Sequence, residues 1–271
     1  MFFQLVVDVS GYFAGASSGI GAVTAVQFAE DGASLALGGR NEERLEEVAK
    51  ECLSKGLSED KVLTIKADLA KEEDVQRTMD MIIKHFGRLD VLVNNAGVVD
   101  ATSILGEDLM KTYDRIMSIN IRSVLQLSKL AIPHLIATKG AIVNISSIVG
   151  KRVCPGFMAY NMSKCALDHF TRVTALELAP KGVRINAVNP GVIITPMLDV
   201  FPVSTEEVRE IAAKDHPLGR AGECDDVAPV IKFLASKAAS FITGETISID
   251  GGRHALCPCT LVSPSIVEDR G

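Results

Sequence analysis

The sequence predicts an α/β fold: a single doubly wound domain whose parallel sheet carries helices on both faces. Three observations predict it. Short β-rich runs alternate with helix-length stretches along the chain. Most of those runs are continuously apolar rather than alternating, as strands covered on both faces must be. No repeat, low-complexity tract or linker divides the 271 residues, so alternating β and α units build one sheet with right-handed crossovers.

The chain opens on "MFFQLVVDV" (1–9), which is apolar but lacks a basic start and contains Asp8. It reads as a strand rather than as a signal peptide. A glycine loop begins at Gly15, and the segment that feeds it is "VSGYFA" (9–14). Gly11 stands where a central strand needs a packed side chain, at a cost of about 0.5–1 kcal/mol. The best apolar run, Phe2 to Val9, ends well before the loop. Either "VSGYFA" is itself the first strand, or a bulge re-aligns the longer run. Six further runs complete a seven-stranded sheet: "SLALGG" (34–39), "KVLTIKAD" (61–68), "DVLVNNAG" (90–97), "GAIVNISS" (140–147), "RINAVNPG" (184–191) and "ETISIDGG" (245–252). In "KEEDVQRTMDMIIKHFG" (71–87) the residues Val75, Met79, Ile82 and Phe86 make one helical face. Asp68 is placed to cap that region and Gly87 to end it. The tail after Gly252 has two prolines and no period. Residues 1–252 therefore read as the domain and 253–271 as an irregular tail.

Composition narrows the function. The chain is 47% hydrophobic and 5% aromatic, with no Trp, so its core is mostly aliphatic. A formal net charge of -6 offers no basic footprint for nucleic acid. No apolar run reaches the ~20 residues of a membrane span. Without a secretory signal, Cys52, Cys154, Cys165, Cys224, Cys257 and Cys259 read as free thiols of a reducing compartment. "CPC" (257–259) has no zinc-site spacing. The expected location is cytoplasmic, with an organelle as the alternative; the final "DRG" is no peroxisomal tripeptide.

Ligands of such sheets gather at the carboxyl ends of the strands. Those ends read Gly39-Arg40, Asp68, Asn94 to Gly97, Ser146-Ser147 and Asn189 to Gly191, so small and polar groups converge on one edge. "GASSGIG" (15–21) lets backbone approach a pyrophosphate, and the helix after it presents free N–H groups and a positive dipole end. Tyr160 and Lys164 in "YNMSK" lie at i, i+4 on one helix face. Such a pair is usually only a solvated surface. A cation at about 4 Å would nevertheless favour a phenolate by roughly 4 kcal/mol, about three pKa units, bringing Tyr160 towards neutrality. Ser147 ends an apolar strand, and Asn120 sits in a helix-like stretch that disfavours Asn.

Together "GASSGIG", "NNAG", Asn120, Ser147, "YNMSK" and "NPG" resemble the short-chain dehydrogenase/reductase family in its compact form. The likeness runs from Gly15 to Gly252 and includes 3-oxoacyl-carrier-protein reductases and related carbonyl reductases. It implies a Rossmann-type oxidoreductase in which Tyr160 is the general acid/base. Lys164 would lower the Tyr160 pKa and hold the nicotinamide ribose. Ser147 would orient the carbonyl oxygen, and Asn120 would hold a water in a proton relay. Gly15, Ser17, Ser18, Gly19, Ile20 and Gly21 would surround the adenosine and pyrophosphate. Asp68 and Leu69 would border the adenine, and Asn95, Ala96 and Gly97 the adenosine ribose. Pro190, Gly191, Ile193 and Thr195 would border the nicotinamide. The resemblance also implies a homodimer or homotetramer paired through the helices bearing Asn120 and Tyr160.

The end of the second strand lacks the acid that would accept from a ribose 2′-hydroxyl. Gly39 followed by Arg40 favours NADP(H) over NAD(H), with Arg40 on the 2′-phosphate. Ser18 stands where many NADP-using relatives carry a second base. Ala14 replaces the family's usual Thr before Gly15, losing a bond worth about 1 kcal/mol. With Gly11, it motivates an alternative: a catalytically weak cofactor-binding or regulatory protein. The loop 196–218 should cover the substrate. Met197, Leu198, Phe201 and Val203 supply apolar groups near its start, and Val149, Val153, Pro155 and Phe157 add more. They imply a moderately apolar ketone or secondary alcohol, with Lys151 and Arg152 as candidate carboxylate clamps and His216 as a structural loop residue.

Overall fold

A computed structural model describes residue 6 and residues 8–256. Seven strands are formed: β1 (Ser10–Ala14), β2 (Ser34–Gly39), β3 (Val62–Lys66), β4 (Val91–Asn94), β5 (Ala141–Ile145), β6 (Arg184–Pro190) and β7 (Thr246–Ile249). All pairs are parallel, in the order β3-β2-β1-β4-β5-β6-β7. The strand order reverses at β1, so the β1–β4 boundary is the switch point where a ligand crevice opens.

Helices α1 (Gly19–Glu30), α2 (Glu42–Ser54) and α8 (Cys224–Ala235) cover one face. Helices α3 (Glu72–Phe86), α5 (Ser123–Thr138) and α6 (Met158–Leu178) cover the other. Helices α4 (Leu109–Met117) and α7 (Thr205–Asp215) complete the set. Phe13 packs into the first core, while its neighbours Tyr12 and Ala14 pack into the second, as the two-residue period of a strand requires. None of the described helices is long and apolar enough to cross a membrane.

The first strand is "SGYFA", with no bulge. Its register with β2 runs unbroken from Ser10↔Ser34 to Ala14↔Gly38, and β4 pairs on its other side. The strand expected over 1–9 is corrected where it is visible. Val6, Asp8 and Val9 lie outside any strand, and Asp8 has a positive φ of 53°. Residues 1–5 and 7 are outside the described residues.

The missing side chain at Gly11 has a local reason. A Cβ there would stand 2.9 Å from Phe13 Cε2, and Phe13 is held edge-on against Phe28 with centroids 4.9 Å apart. On the other face a Cβ at Gly38 would stand 2.4 Å from the Tyr12 hydroxyl. Phe13 and Tyr12 of β1 thus occupy the space that Gly11 and Gly38 leave free.

Helix α3 buries Val75, Met79 and Ile82 and ends at Gly87 in the left-handed region, as expected. Its capping differs from expectation. The N-cap is Lys71, without a side-chain bond, and Asp68 accepts from Ala70 N instead. Asp74 reaches back to Asp68 N at 2.8 Å, so the first turn secures the loop rather than the reverse.

Gly38→Ala should destabilise the protein by about 1–3 kcal/mol through overpacking. Replacing Tyr12 by Leu in the same chain should recover part of that loss. Denaturant midpoints of the two single variants and the double variant check it; additive losses would show that Tyr12 does not fill the slot.

Candidate active site

The loop after β1 is shaped by close approach. Gly15 leaves the strand at φ +78°, and a Cβ there would meet Ala96 Cα at 2.8 Å. Gly15 and Ala16 donate to the Gly38 carbonyl at 2.8 and 2.9 Å, so the Thr hydroxyl absent at Ala14 is not needed to hold the turn. Asn95 Nδ2 donates to the Gly15 carbonyl at 2.8 Å and ties the loop to the end of β4. Helix α1 then starts at Gly19, after an N-cap Ser18 that makes no side-chain cap, and has no acid in its first turn. Its N-terminal N–H groups and dipole open on the crevice, which suits a pyrophosphate.

The crevice is a cleft of about 960 Å³. Gly15, Ser17, Ser18, Gly19 and Ile20 line it, as do Arg40, Asp68, Leu69, Asn95, Ala96 and Gly97. Ser147, Tyr160, Lys164, Pro190, Gly191, Ile193 and Thr195 continue the same wall. Two expected site residues stand behind it instead. Gly21 packs against the loop: a Cβ there would lie 2.4 Å from both Asn95 Nδ2 and the Gly15 carbonyl. Asn120 is 1% exposed and lies in a π-helical turn, Ser118–Arg122, that interrupts the run from α4 to α5. Its Oδ1 accepts from Val98 N at 2.8 Å. Its Nδ2 donates to the Val98 carbonyl at 2.9 Å and to Ser163 Oγ at 3.1 Å. Asn120 therefore pins the strand-end loop to α6.

Tyr160 and Lys164 share one face of α6, with Lys164 Nζ 5.5 Å from the phenol centroid. Lys164 is 4% exposed, and its ammonium donates to the Ile145 carbonyl at 2.8 Å. Burial holds its pKa down to about 8, and only Asp168 works against that. The expectation of a near-neutral phenol is not met in this environment. Burial pushes Tyr160 up to about 12, opposed by its hydrogen bond with Ser147. α6 packs both groups against strand ends, where desolvation is the largest influence on each.

The substrate wall differs in detail from expectation. Val149, Phe157, Met197, Leu198 and Phe201 line the cleft, together with Val200. Phe157 and Phe201 meet edge-on at 5.4 Å. Val153 is 89% exposed and, with Pro155 and Val203, does not line it. Neither expected carboxylate clamp enters the cleft. Lys151 donates to the Thr246 carbonyl and to Ser248 Oγ, and Arg152 to the Leu256 carbonyl. His216 is buried, with its ring nitrogens on the Arg220 carbonyl and Val192 N, in line with a structural role. Cys52, Cys154, Cys165 and Cys224 are free thiols; Cys257 and Cys259 lie outside the described residues.

Sequence reading missed Arg44, which lines the cleft beside Arg40. Its signal was a second arginine close after Arg40, in the first turn of α2. Asn41 caps α2 by accepting from Arg44 N at 3.0 Å, which sets both arginines at the end of β2. It also missed Arg253, which lines the cleft and pairs with Asp215 at 3.1 Å. The residues expected as an irregular tail from 253 begin with a 3-10 turn, Arg253–Ala255; 257–271 are outside the described residues.

A family model described as enoyl-(acyl carrier protein) reductase matches residues 15–254. A 3-oxoacyl-[acyl-carrier-protein] reductase of Thermotoga maritima is 38% identical over 240 residues, covering 88% of this chain and 94% of its own. A short-chain dehydrogenase/reductase of unknown function from Caenorhabditis elegans, solved with cofactor, is 36% identical with a TM-score of 0.88. The match covers 93% of this chain and 97% of that one. A 3-ketoacyl-(acyl-carrier-protein) reductase from Brucella melitensis, solved with NADH, is 32% identical with a TM-score of 0.84. That match covers 92% and 99% of the two chains.

The buried lysine makes stability depend on pH. Its pKa is depressed from 10.5 to about 8, so between those values the fold binds fewer protons than the unfolded chain. The cost of burying the ammonium, on the order of 3 kcal/mol, is full below pH 8 and fades as pH rises towards 10.5. Wild type should therefore gain stability relative to Lys164→Met between pH about 7.5 and about 9.5. Guanidinium midpoints at both values check it; a constant gap would refute the buried charge.

Proposed function

This chain belongs to the short-chain dehydrogenase/reductase family, an oxidoreductase of carbonyl and alcohol groups, and on that premise we propose that it exchanges hydride between NADP(H) and a moderately apolar ketone or secondary alcohol. The observation that carries the reading is one continuous cleft. It joins the uncapped start of α1, the arginines after β2 and the Ser147–Tyr160–Lys164 group.

The glycine loop fits a dinucleotide because Gly15 and Gly21 bring backbone where any Cβ would collide. A bound nicotinamide would supply the hydride. Tyr160 holds the proton given to the substrate oxygen, and Ser147, on the same wall of the cleft, orients that oxygen. Lys164 presents its ammonium beside the phenol, steadied by the Ile145 carbonyl. Asn120 keeps the Val98 loop and α6 in register. The other expected contacts are carried over as proposals: Asp68 and Leu69 to adenine, Asn95 to Gly97 to the ribose, and Pro190, Gly191, Ile193 and Thr195 to the nicotinamide.

NADP(H) is favoured over NAD(H) by Arg40 and Arg44, both exposed at the adenosine end. Gly39 leaves little room for an acid, because a Cβ there already stands 3.2 Å from Ser17 Oγ. The Brucella relative with NADH speaks for nicotinamide use in general. The aliphatic wall and the Phe157–Phe201 pair support an apolar carbonyl substrate under the loop 196–218. The weak-binder alternative loses its motive, because β1 pairs without interruption. Residues 1–252 act as one domain in this reading. Exposed Leu125, Met162, Val173 and Leu176 on α5 and α6 support a homodimer or homotetramer.

Fluorescence titration should show tighter binding of NADPH than of NADH. Arg40→Ala and Arg44→Ala should each weaken NADPH by about ten- to a hundredfold, as loss of a charge-assisted bond would, and leave NADH nearly unchanged. Equal losses for both cofactors would overturn the 2′-phosphate assignment. Tyr160→Phe should bind cofactor normally and lose about 10²- to 10⁴-fold in kcat; undiminished turnover would remove Tyr160 as the acid/base.

A further inference from the structure

Beneath the Tyr160–Lys164 pair lies a carboxylate that the proposed chemistry leaves unused. Asp168 follows Lys164 by one turn of α6 and is 2% exposed. Both its oxygens accept from one nitrogen, Asn189 Nδ2, at 3.0 and 2.9 Å. The same nitrogen donates to the Ser147 carbonyl at 2.9 Å. Ser146 donates to the Lys164 carbonyl at 3.1 Å. The space is closed: a Cβ on Gly150 would lie 2.6 Å from Asp168 Oδ2. One acid therefore joins the ends of β5 and β6 to α6, at the residues flanking Ser147 and Lys164.

Two costs argue against simple packing. A buried carboxylate is unfavourable, and an aliphatic side chain in its place would avoid the penalty. Asn189 Oδ1 is also buried without a partner. Turning the amide over would aim that oxygen at the carboxylate, so the charge of Asp168 dictates the orientation that holds Ser147. Local costs of this kind, kept against the rules that stabilise a core, mark functional positions.

We propose, resting on the hydride-transfer reading, that Asp168 is a positioning residue. It locks the Asn189 amide onto the Ser147 backbone and sets a negative charge behind the Lys164 ammonium. The groups facing the pair from neighbouring elements, Ser146, Ser147, Asn189 and Asn120, carry no charge. Lys151 and Arg172 are the cations that act on Asp168, and Asp168 is the charge that acts on Lys164. Removing it makes Lys164 lose its proton at lower pH.

The test compares Asp168→Asn, which keeps the shape and an acceptor for Asn189, with Asp168→Ala, which keeps neither. Profiles of kcat and KM against pH are recorded with NADPH and a ketone turned over by wild type, with Tm measured alongside. In Asp168→Asn the alkaline limb of kcat should move to lower pH, with KM for NADPH changed less than about threefold. Asp168→Ala should lose about ten- to a hundredfold in kcat as Ser147 is misplaced. Should the alanine variant not fold, the profile of the asparagine variant decides. A profile superimposable on wild type, with only Tm lowered, overturns the inference and leaves the hydride-transfer reading standing. A wild type that binds NADPH and reduces no ketone overturns both.

Discussion

The parallel pairing of β1 between β2 and β4 is the constraint on which the site depends. It places Ala14 opposite Gly38 and Asn94, so the chain leaves the sheet at Gly15 beside the residues that follow β4. The tight exit turns on the Gly38 carbonyl, which accepts from two successive amides. From there the chain enters α1 with its first turn facing the crevice. A shift of one residue would reverse the faces of Tyr12 and Phe13 and move the loop with them.

The carboxyl ends of the strands are held by amide side chains rather than by apolar contacts. Asn94 donates to Asn144 across β4 and β5, and Asn144 donates to Thr171 of α6. Asn120 grips both backbone groups of Val98, and Asn189 grips Ser147 and Asp168. Directional bonds locate groups more sharply than packing does, and in a closed interior they are strengthened by low dielectric. The same surroundings explain why Lys164 and Tyr160 resist charge: each is held where water is scarce, and neighbours offset only part of the penalty.

Charge and greasiness are separated along the cleft. Arg40 and Arg44 lie where β2 ends, and aliphatic and phenyl groups gather under the loop 196–218. Anion recognition at one end and apolar recognition at the other meet at the Tyr160 hydroxyl. That layout follows from strand order: β2 lies on one side of the switch point, and β5 and β6 lie on the other.

Much of this was legible in the sequence. Each of the six later β-rich runs became a strand, and in the central ones continuous apolar character reported burial on both faces. The helical step of Val75, Met79 and Ile82 was legible for the same local reason. Order along the chain also placed Ser147, Tyr160 and Lys164 at one edge, since every parallel strand ends on the same side. What needed tertiary structure was distance and desolvation. Periodicity carries no measure of how closely α6 packs on β5, so the depression of Lys164 and the elevation of Tyr160 were invisible. Gly11 looked like damage until the Phe13 ring was seen in its space. Nothing in the sequence singled out Asp168, which gains its partner only because β6 places Asn189 against it. Local pattern decided which elements form and in what order; only the packed fold decided which polar groups lose their water, because that depends on residues far apart in the chain.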